Sequence, residues 1–429
     1  MKIHLKALGC RLNEAELEQW SREFTGEGHR IVKDAEVADV VVVNTCAVTT
    51  EATKKSRKLM NRLHRENPQS KLVVSGCYAT LEEKEVATRI GVDLVVNNQD
   101  KDLLPRKVMD EFSANTMPLN AMEPDESSLF LRGKHRAFIK IQDGCRYRCT
   151  YCIVTVARGE EKSRTMADIV DEVNHLHQQG IQEIVLTGVH VGGYGSDIDS
   201  SLTDLVKVLL IDTDIPRIRF ASVEPWDLPE DFFTLFENKR LMPHMHLPLQ
   251  SGANSVLRRM SRRCKVEDFS TLIQQARTAI PEFNVTTDII VGFPGETDEE
   301  WASTLKNVES IGFGHMHIFA FSPREGTKAA GLQNQIADEI KKQRSHELHL
   351  LADELKKDFH QQQINQQVDV LWEGQKNNEE GKLVYSGYAP NFCRVESIGQ
   401  NDVLLEGRVK RTQILDYSST KSVLMGKVL

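Results

Sequence analysis

Three cysteines, Cys145, Cys149 and Cys152, stand in the stretch DGCRYRCTYCIVTVARG in the spacing C-x3-C-x2-C. Thiols this close along a chain are candidate metal ligands. Three is one short of the four donors taken by a structural zinc ion or a fully ligated cubane iron–sulfur cluster. No further Cys or His follows at ligand spacing, so the pattern favours a cluster with one iron left open over zinc. An open iron binds a small chelating molecule and passes it an electron. Three more cysteines, Cys10, Cys46 and Cys77, lie far apart in the first hundred residues. Cys264 and Cys393 have no partner in any pattern and read as ordinary thiols.

The elements that hold these residues follow from periodicity. KIHLKALG is a short apolar strand, followed by a helical stretch from about 14 to 26. ADVVVVNTC is a β-branched run of the kind buried on both faces of a parallel sheet. A helix over TTEATKKSRKLMNRLHREN follows, with Thr49 or Thr50 as its N-cap. Then come KLVVSGC, a helix around 81–89, and VDLVVNN. Four strands alternating with helices make a doubly wound parallel sheet the economical reading. Cys10, Cys46 and Cys77 each come just after a strand. In a parallel sheet all carboxyl ends lie on one edge, where ligands bind, so the three can converge. The alternative is three unrelated buried cysteines, since free Cys is often buried.

Residues 113–134 are polar with two prolines and read as a linker. A second series follows, with strands AFIKIQD, EIVLTGV, RIRFASV, PHMHLPL, NVTTDIIVGF and HMHIFAFS. Helices separate them over 166–179, 202–211, 256–260 with 266–279, and 297–310. Six βα units predict a barrel or open part-barrel, with active residues at the carboxyl ends of its strands. The C-x3-C-x2-C motif lies just after the first of them. A charged helical stretch, IADEIKKQRSHELHLLADELKKDFHQQQ, leads out. The tail reads as five short strands, VDVLWEG, LVYSGYA, CRVES, DVLLEGRV and SVLMGKV, which suit a small OB-like barrel, a type that often binds nucleic acid. The fold class is α/β, with expected boundaries at 1–112, 113–134, 135–362 and 363–429.

The chain of 429 residues is 40% hydrophobic and 27% charged, as in soluble globular proteins. No apolar run approaches a membrane span, and MKIHLKALGC lacks a signal-peptide core, so a cytoplasmic location without membrane attachment is expected. There, eight cysteines are metal ligands or free thiols rather than disulfides. A net charge of −8 argues against a protein coated in nucleic-acid-binding surface but allows a local basic patch.

The motif, with Tyr151 before its last cysteine, resembles the signature of the radical SAM superfamily. The resemblance implies that the open iron chelates the amino and carboxylate groups of S-adenosylmethionine, whose reductive cleavage gives methionine and a 5′-deoxyadenosyl radical. LGCRLNEAELE, NTCAVTTEATKKSR, GCYAT, the ARG after the motif, HLPLQSGANSVLRRMSRR, TDIIVGFPGETDEEW and FSPREGT resemble the methylthiotransferases of that superfamily. These have an N-terminal three-cysteine domain, a central part-barrel and a C-terminal TRAM domain. The resemblance implies that Cys10, Cys46 and Cys77 hold a second, auxiliary cluster, also three-coordinate, alongside the one on Cys145, Cys149 and Cys152. It implies two 4Fe-4S clusters, S-adenosylmethionine, tRNA, an electron donor of flavodoxin or ferredoxin type, and a sulfur source.

NTCAVTTEATKKSR and GCYAT look most like the branch that modifies N-threonylcarbamoyladenosine at tRNA position 37. Sister branches act on isopentenyladenosine in tRNA or on ribosomal protein uS12. A non-catalytic zinc-bearing RNA-binding protein is the alternative from another class. Two departures flank the motif: Thr155 and Val156 stand where the family usually has Pro-Tyr or a similar pair, and Thr165 stands where it has proline. The implied chemistry is reasonable, because a carbon–hydrogen bond at carbon-2 of adenosine has no useful acidity and a radical route can open it.

Candidate cosubstrate contacts are the polar residues at barrel strand ends: Thr187 and Gly188, Ser222 and Glu224, Gln250 and Ser251, and Asp288. Gly188 permits close backbone approach. The HMH pairs, His244/His246 and His315/His317, read as barrel-lining histidines that hydrogen-bond their neighbours rather than as chelates. Lys54, Lys55, Arg57, Lys58, Arg62 and Arg65 crowd the helix after Cys46 and are candidate tRNA-phosphate contacts. Arg394, Arg408, Lys410 and Arg411 are further candidates in the tail. No catalytic side chain is assigned.

Overall fold

The computed structural model describes residues 1–112, 135–377, 381–399 and 405–429. The expected linker, 113–134, lies outside the described residues. The first unit is a five-stranded parallel sheet of β1 (Lys2–Ala7), β2 (Arg30–Ile31), β3 (Val40–Thr45), β4 (Lys71–Gly76) and β5 (Val92–Val96), in the order β2-β1-β3-β4-β5. Every residue of β3 is buried because both faces of the sheet are covered. Val41, Val43 and Val74 pack under Leu59, Met60 and Leu63 of the helix Thr50–Glu66. Val40, Val42 and Val73 pack under Trp20 and Phe24 of the helix Arg11–Gly26. Trp20 also donates from Nε1 to the Lys101 carbonyl at 3.0 Å. Truncating it to Ala removes both terms, a cost of ~3–5 kcal/mol.

Three details differ from the sequence reading. The first helix starts at Arg11, directly after Cys10, rather than near 14. The helix expected around 81–89 is two short helices, Cys77–Leu81 and Glu83–Ala87, and the first opens on a cysteine. β2 is a two-residue edge strand, too short to show alternation. Thr49 is the N-cap of the next helix, accepting from the Ala52 N–H.

The second unit has all six expected strands: β6 (Arg136–Lys140), β9 (Glu183–Thr187), β10 (Arg217–Phe220), β11 (His244–His246), β12 (Asn284–Val291) and β13 (His315–Ala320). A small antiparallel pair, β7 (Gln142–Asp143) and β8 (Lys162–Ser163), brackets the cysteine loop. The six strands form two parallel sheets, β10-β9-β6 and β11-β12-β13. Bridges Ile218↔Leu241 and Ser222↔His246 join β10 to β11, so the strands curve in chain order into a part-barrel. The helix Arg11–Gly26 of the first unit packs on β6, with Ala15 against Phe138 and Val185. Glu18 accepts from the Phe138 N–H at 3.1 Å, and Arg22 pairs with Glu172.

The helix Asp338–Gln361 leads to a closed five-stranded barrel of β14 (Gln367–Asn377), β15 (Leu383–Tyr388), β16 (Arg394–Ile398), β17 (Val409–Ser418) and β18 (Val423–Val428), in the order β14-β15-β16-β18-β17. The strand expected over DVLLEGRV is displaced. Residues 402–404 of it lie outside the described residues, 405–408 turn with Gly407 at φ +76°, and β17 begins at Val409. β17 buries only Thr412 and Ile414, so its sequence carries no clear alternation.

This small barrel docks on the amino ends of the part-barrel strands, the side away from the cysteine loop. There the Phe392 ring lies under the guanidinium of Arg219 and against His244. Among the described residues no helix is long and apolar enough to cross a membrane.

Candidate active site

One cavity of about 210 Å³ is lined by all six motif cysteines, with Asn13, Tyr147, Tyr151, Arg158, Gly188 and Glu224 beside them. A larger cavity of about 740 Å³ lies between the part-barrel and the tail, lined by residues such as Arg217, Lys239 and Gln363; no cysteine lines it.

Cys10, Cys46 and Cys77 reach the cavity from the carboxyl ends of β1, β3 and β4. Cys10 is the N-cap of the helix Arg11–Gly26, and burial, outweighing the nearby Arg158, raises its thiol pKa. Gly9 before it has φ +108°, and a Cβ there would lie 2.8 Å from the Cys46 Sγ. Glycine is what lets the two cysteines approach. Cys10 Sγ donates to Asn13 Oδ1 at 3.6 Å, while Asn13 Nδ2 donates to Leu8 O at 2.6 Å and Thr45 O at 3.4 Å. One amide thus ties together the ends of β1 and β3. Cys46 is fixed by its N–H to Ser56 Oγ at 3.1 Å. Asn98 Nδ2 donates to Cys77 Sγ at 3.8 Å and to Ala157 O at 2.8 Å.

The loop carrying Cys145, Cys149 and Cys152 is pinned at both ends. Gly144 has φ +70°, and a Cβ there would lie 1.8 Å from the Glu160 carbonyl. Asp143 Oδ1 accepts from the Gly144 N–H at 2.9 Å, and Gly159 O accepts from the Cys145 N–H at 3.1 Å. Thr150 bonds through both N–H and hydroxyl to the carbonyls of Met260 and Arg259. Burial, with neighbouring thiols adding, pushes Cys145 up to about 12 and Cys152 to about 11. Burial also pushes Cys46 to about 11. With their protons held this tightly, the metal-free Cys46, Cys145 and Cys152 are thiols at neutral pH, and a thiophilic metal has to displace those protons.

Cys145 Sγ, Glu161 and His190 bring donor atoms within 4.8 Å of one another. His190 is not free to act as a fourth ligand. Its Nδ1 meets Glu161 Oε1 and its Nε2 meets Asp227 Oδ2, each at 2.5 Å. Burial alone would lower its pKa, but the two carboxylates outweigh it and raise it. Tyr147 OH donates to the other Asp227 oxygen at 2.6 Å and its ring lies 4.6 Å from that of His190. The group holds the wall of the cavity. No seventh cysteine and no histidine lines the cavity among the described residues. Two sets of three soft donors, each without a further thiol or imidazole, fit a pair of cubane clusters with one open iron apiece.

Two buried ion-pair groups flank the thiols. Arg158 donates to Asn13 Oδ1 at 2.8 Å, Glu16 Oε1 at 2.8 Å and Asp143 Oδ1 at 3.0 Å. Lys101 bridges the same carboxylates, Glu16 at 2.5 Å and Asp143 at 2.8 Å. Burial would raise the Glu16 carboxyl, but Arg158, Lys101 and Lys140 hold it down at about 2. Glu224 pairs with Arg262 at 2.7 Å, and that guanidinium stacks 4.3 Å from the Trp226 ring.

Of the candidate cosubstrate residues, Gly188 and Glu224 line the cavity. A Cβ on Gly188 would lie 3.0 Å from the Gln142 carbonyl. Thr187 is buried at the end of β9. Ser222 is exposed. Gln250 is buried at φ +73° and joins β12 through its backbone. Ser251 is wholly buried, its hydroxyl accepting from the Ala253 N–H. Asp288 meets His246 Nε2 at 3.2 Å, and His244 and His246 share the Thr286 hydroxyl. Lys54, Lys55, Lys58, Arg62 and Arg65 are exposed on one helix, whereas Arg57 is held by Tyr78 and Glu85. In the tail, Arg394 and Arg411 pair with Glu396 and Asp369, Arg408 is exposed and Lys410 half-buried.

The sequence reading did not single out Asn13, Glu16, Lys101, Tyr147, Arg158, His190, Asp227 or Arg262. One local signal was available: three of the six cysteines follow a glycine, at 9–10, 76–77 and 144–145, and all three glycines have positive φ.

The model of the uncharacterized protein family UPF0004 matches residues 2–97, and that of the radical SAM superfamily matches residues 139–308. A threonylcarbamoyladenosine tRNA methylthiotransferase, MtaB, from Bacillus subtilis (strain 168) is 34% identical over 425 residues, spanning 96% of this chain and 93% of that protein. The protein of that name from Thermotoga maritima is 33% identical, spanning 92% and 91%. A tRNA-2-methylthio-N(6)-dimethylallyladenosine synthase from Oceanobacillus iheyensis is 34% identical, spanning 90% of this chain and 77% of that protein. Among solved structures, the radical S-adenosylmethionine methyltransferase TsrM from Kitasatospora setae, with cobalamin and a 4Fe-4S cluster bound, has a TM-score of 0.59 at 14% identity, covering 77% of each chain. At that identity the likeness is one of fold.

Proposed function

The chain belongs to the tRNA methylthiotransferases of the radical SAM superfamily, and from that premise we propose that its substrate is N-threonylcarbamoyladenosine at tRNA position 37, converted to the 2-methylthio derivative. The reading of the substrate is supported by NTCAVTTEATKKSR and GCYAT around Cys46 and Cys77. It is also supported by relatives bearing that activity in their names at 33–35% identity over about nine-tenths of both chains. The observation that carries the mechanism is the meeting of two cysteine triads on one cavity.

Cys145, Cys149 and Cys152 hold the cluster that binds S-adenosylmethionine; Cys10, Cys46 and Cys77 hold the auxiliary one. When bound, these groups supply electron transfer, radical generation and a site for sulfur. The chain's own part is placement. Strand ends and positive-φ glycines bring the two triads to one cavity. The ion pair of Glu224 with Arg262 offers polar contacts to the amino-acid or ribose part of the cosubstrate. The Tyr147–Asp227–His190–Glu161 group fixes the wall behind Cys145. Thr187, Gly188, Ser222, Gln250, Ser251 and Asp288 are the remaining cosubstrate candidates. The exposed lysines and arginines of the helix Thr50–Glu66 and the tail's Arg394, Arg408, Lys410 and Arg411 are assigned to tRNA phosphates.

In this reading residues 1–112 bear the auxiliary cluster, 135–362 form the radical SAM core and 363–429 the TRAM unit. The electron donor is of flavodoxin or ferredoxin type, a separate sulfur source serves the auxiliary cluster, and the enzyme works in the cytoplasm. The test is nucleoside analysis of tRNA from a deletion strain. Loss of the methylthio group from threonylcarbamoyladenosine supports the reading. Loss from isopentenyladenosine reassigns the substrate, and an unchanged tRNA profile rejects a tRNA substrate. Anaerobically purified protein should carry about eight irons; a colourless zinc protein would reject the enzyme altogether.

A further inference from the structure

Arg158 belongs by sequence to the loop of Cys145, Cys149 and Cys152, yet it stands among the partners of the other triad. It closes the short helix Val154–Arg158. The residue before it, Ala157, packs into the core of the first unit with Cys77, Tyr78 and Ala79. The Ala157 carbonyl accepts from Asn98, the same amide that donates to Cys77 Sγ. The Arg158 side chain is only 1% exposed, and its fork grips Asn13, the acceptor of the Cys10 thiol, together with Glu16 and Asp143. Glu16 comes from the first unit, while Asp143 stands two residues before Cys145.

The charges here do not balance inside the network. Glu16 and Asp143 serve three buried cations, Arg158, Lys101 and Lys140. Two further carboxylates reach Lys140, Asp102 in contact with it and the half-buried Glu23, but Asp102 is half exposed and screened by water, and neither touches Arg158 or Lys101 in any ion pair among the described residues. A buried guanidinium needs compensation. The surplus positive charge faces the cavity, which Arg158 lines beside Cys10, Cys46 and Cys77. Thiolates of Cys10, Cys46 and Cys77 bound to a metal group would supply negative charge there.

We propose that Arg158 is a positioning residue for the metal group on Cys10, Cys46 and Cys77, delivering from the loop of the other triad a buried positive charge that favours that group's reduced state. The proposal rests on the two-triad reading above. It makes the two sites interdependent, because the loop that holds one triad carries the counter-charge of the other.

The test uses the full chain with Cys145, Cys149 and Cys152 replaced by Ala, so that only the N-terminal triad carries iron. Iron content and midpoint potential, followed by electron paramagnetic resonance, are measured in this parent and with Arg158→Met, Arg158→Lys or Lys101→Met added. Arg158→Met should shift the redox equilibrium at least tenfold toward the oxidised state, ~59 mV more negative for one electron. Arg158→Lys should restore most of that shift, which lost packing alone would not explain. Lys101→Met removes a surplus cation without touching the thiols, lowers the potential in the same direction, and carries the test should Arg158→Met fail to fold. Bound iron with a potential unmoved by Arg158→Met, or by Lys101→Met where that arm is used, overturns the proposal alone. A parent that binds no iron overturns the two-triad reading and the proposal with it.

Discussion

Replacing Glu183 with Gln tests how the tail is held on the part-barrel. Glu183 opens β9 and is 1% exposed. It meets Arg217 Nε at 2.9 Å, Arg219 Nε at 3.1 Å and Arg136 Nη1 at 3.6 Å. Arg136 also forks onto Glu373 of β14, and both Arg136 and Arg219 lie over the Phe392 ring of the tail. Burial would raise the Glu183 carboxyl, but the three arginines outweigh it and hold it down from 4.5 to about 2. That fall is worth ~3 kcal/mol of stability at neutral pH. It agrees with the ~3–5 kcal/mol typical of breaking a buried ion pair from one side.

Arg217 is held down at about 10, because burial penalises the cation and one carboxylate is shared among three. Glu183→Gln should therefore open the junction of tail and part-barrel on the order of 100-fold more often at neutral pH. Pulse proteolysis in urea, with the tail followed on gels, reads that population. A depressed carboxyl stabilises the fold above its unfolded pKa and loses that contribution as pH falls through its folded pKa. The gap between wild type and variant should be constant near neutrality and close between pH 4.5 and about 2. A gap below ~0.5 kcal/mol at neutral pH, or one that widens on acidification, refutes the reasoning.

Other perturbations separate the roles of the parts. Replacing Cys10, Cys46 and Cys77 together by Ala should preserve reductive cleavage of S-adenosylmethionine, measured as 5′-deoxyadenosine, and abolish methylthio transfer; replacing Cys145, Cys149 and Cys152 should abolish both. Gly144→Ala forces a Cβ to 1.8 Å from the Glu160 carbonyl at φ +70°, so the variant should lose iron from the adjacent triad, seen as about four irons per chain instead of eight. His190 has a raised pKa, so its ion pairs stabilise fully below 6.5 and fade as pH rises through the folded value. The melting-temperature gap between wild type and His190→Gln should narrow as pH is raised. Removing Lys54, Lys55 and Lys58 together should cut the slope of log affinity for tRNA against log salt by ~2; an unchanged slope places the tRNA elsewhere.

Much of the architecture was legible because local patterns carry it. β3 opens on four consecutive valines, since a central parallel strand is buried on both faces. The helix Val266–Ala279 was read to the residue, as its apolar face is periodic. The displaced β17 shows the limit. Its ten residues bury only two side chains, and closure of the barrel rather than alternation makes them a strand. Ser251 shows another, for a polar residue after a strand looks alike whether it faces a cavity or caps a turn; here its hydroxyl serves the backbone of Ala253.

By itself, the order of residue types determined the six thiols, the strands they follow and the edge on which a parallel sheet gathers them. Those are properties of single elements and of one topological rule. Only the tertiary structure decided that the two triads open on the same cavity, and that Arg158 reaches from one loop into the partners of the other. It also decided that both nitrogens of His190 are already occupied. Such outcomes depend on how two separately built units dock. A buried charge finds its partners through packing across that junction, and no spacing along the chain encodes which carboxylate it will meet.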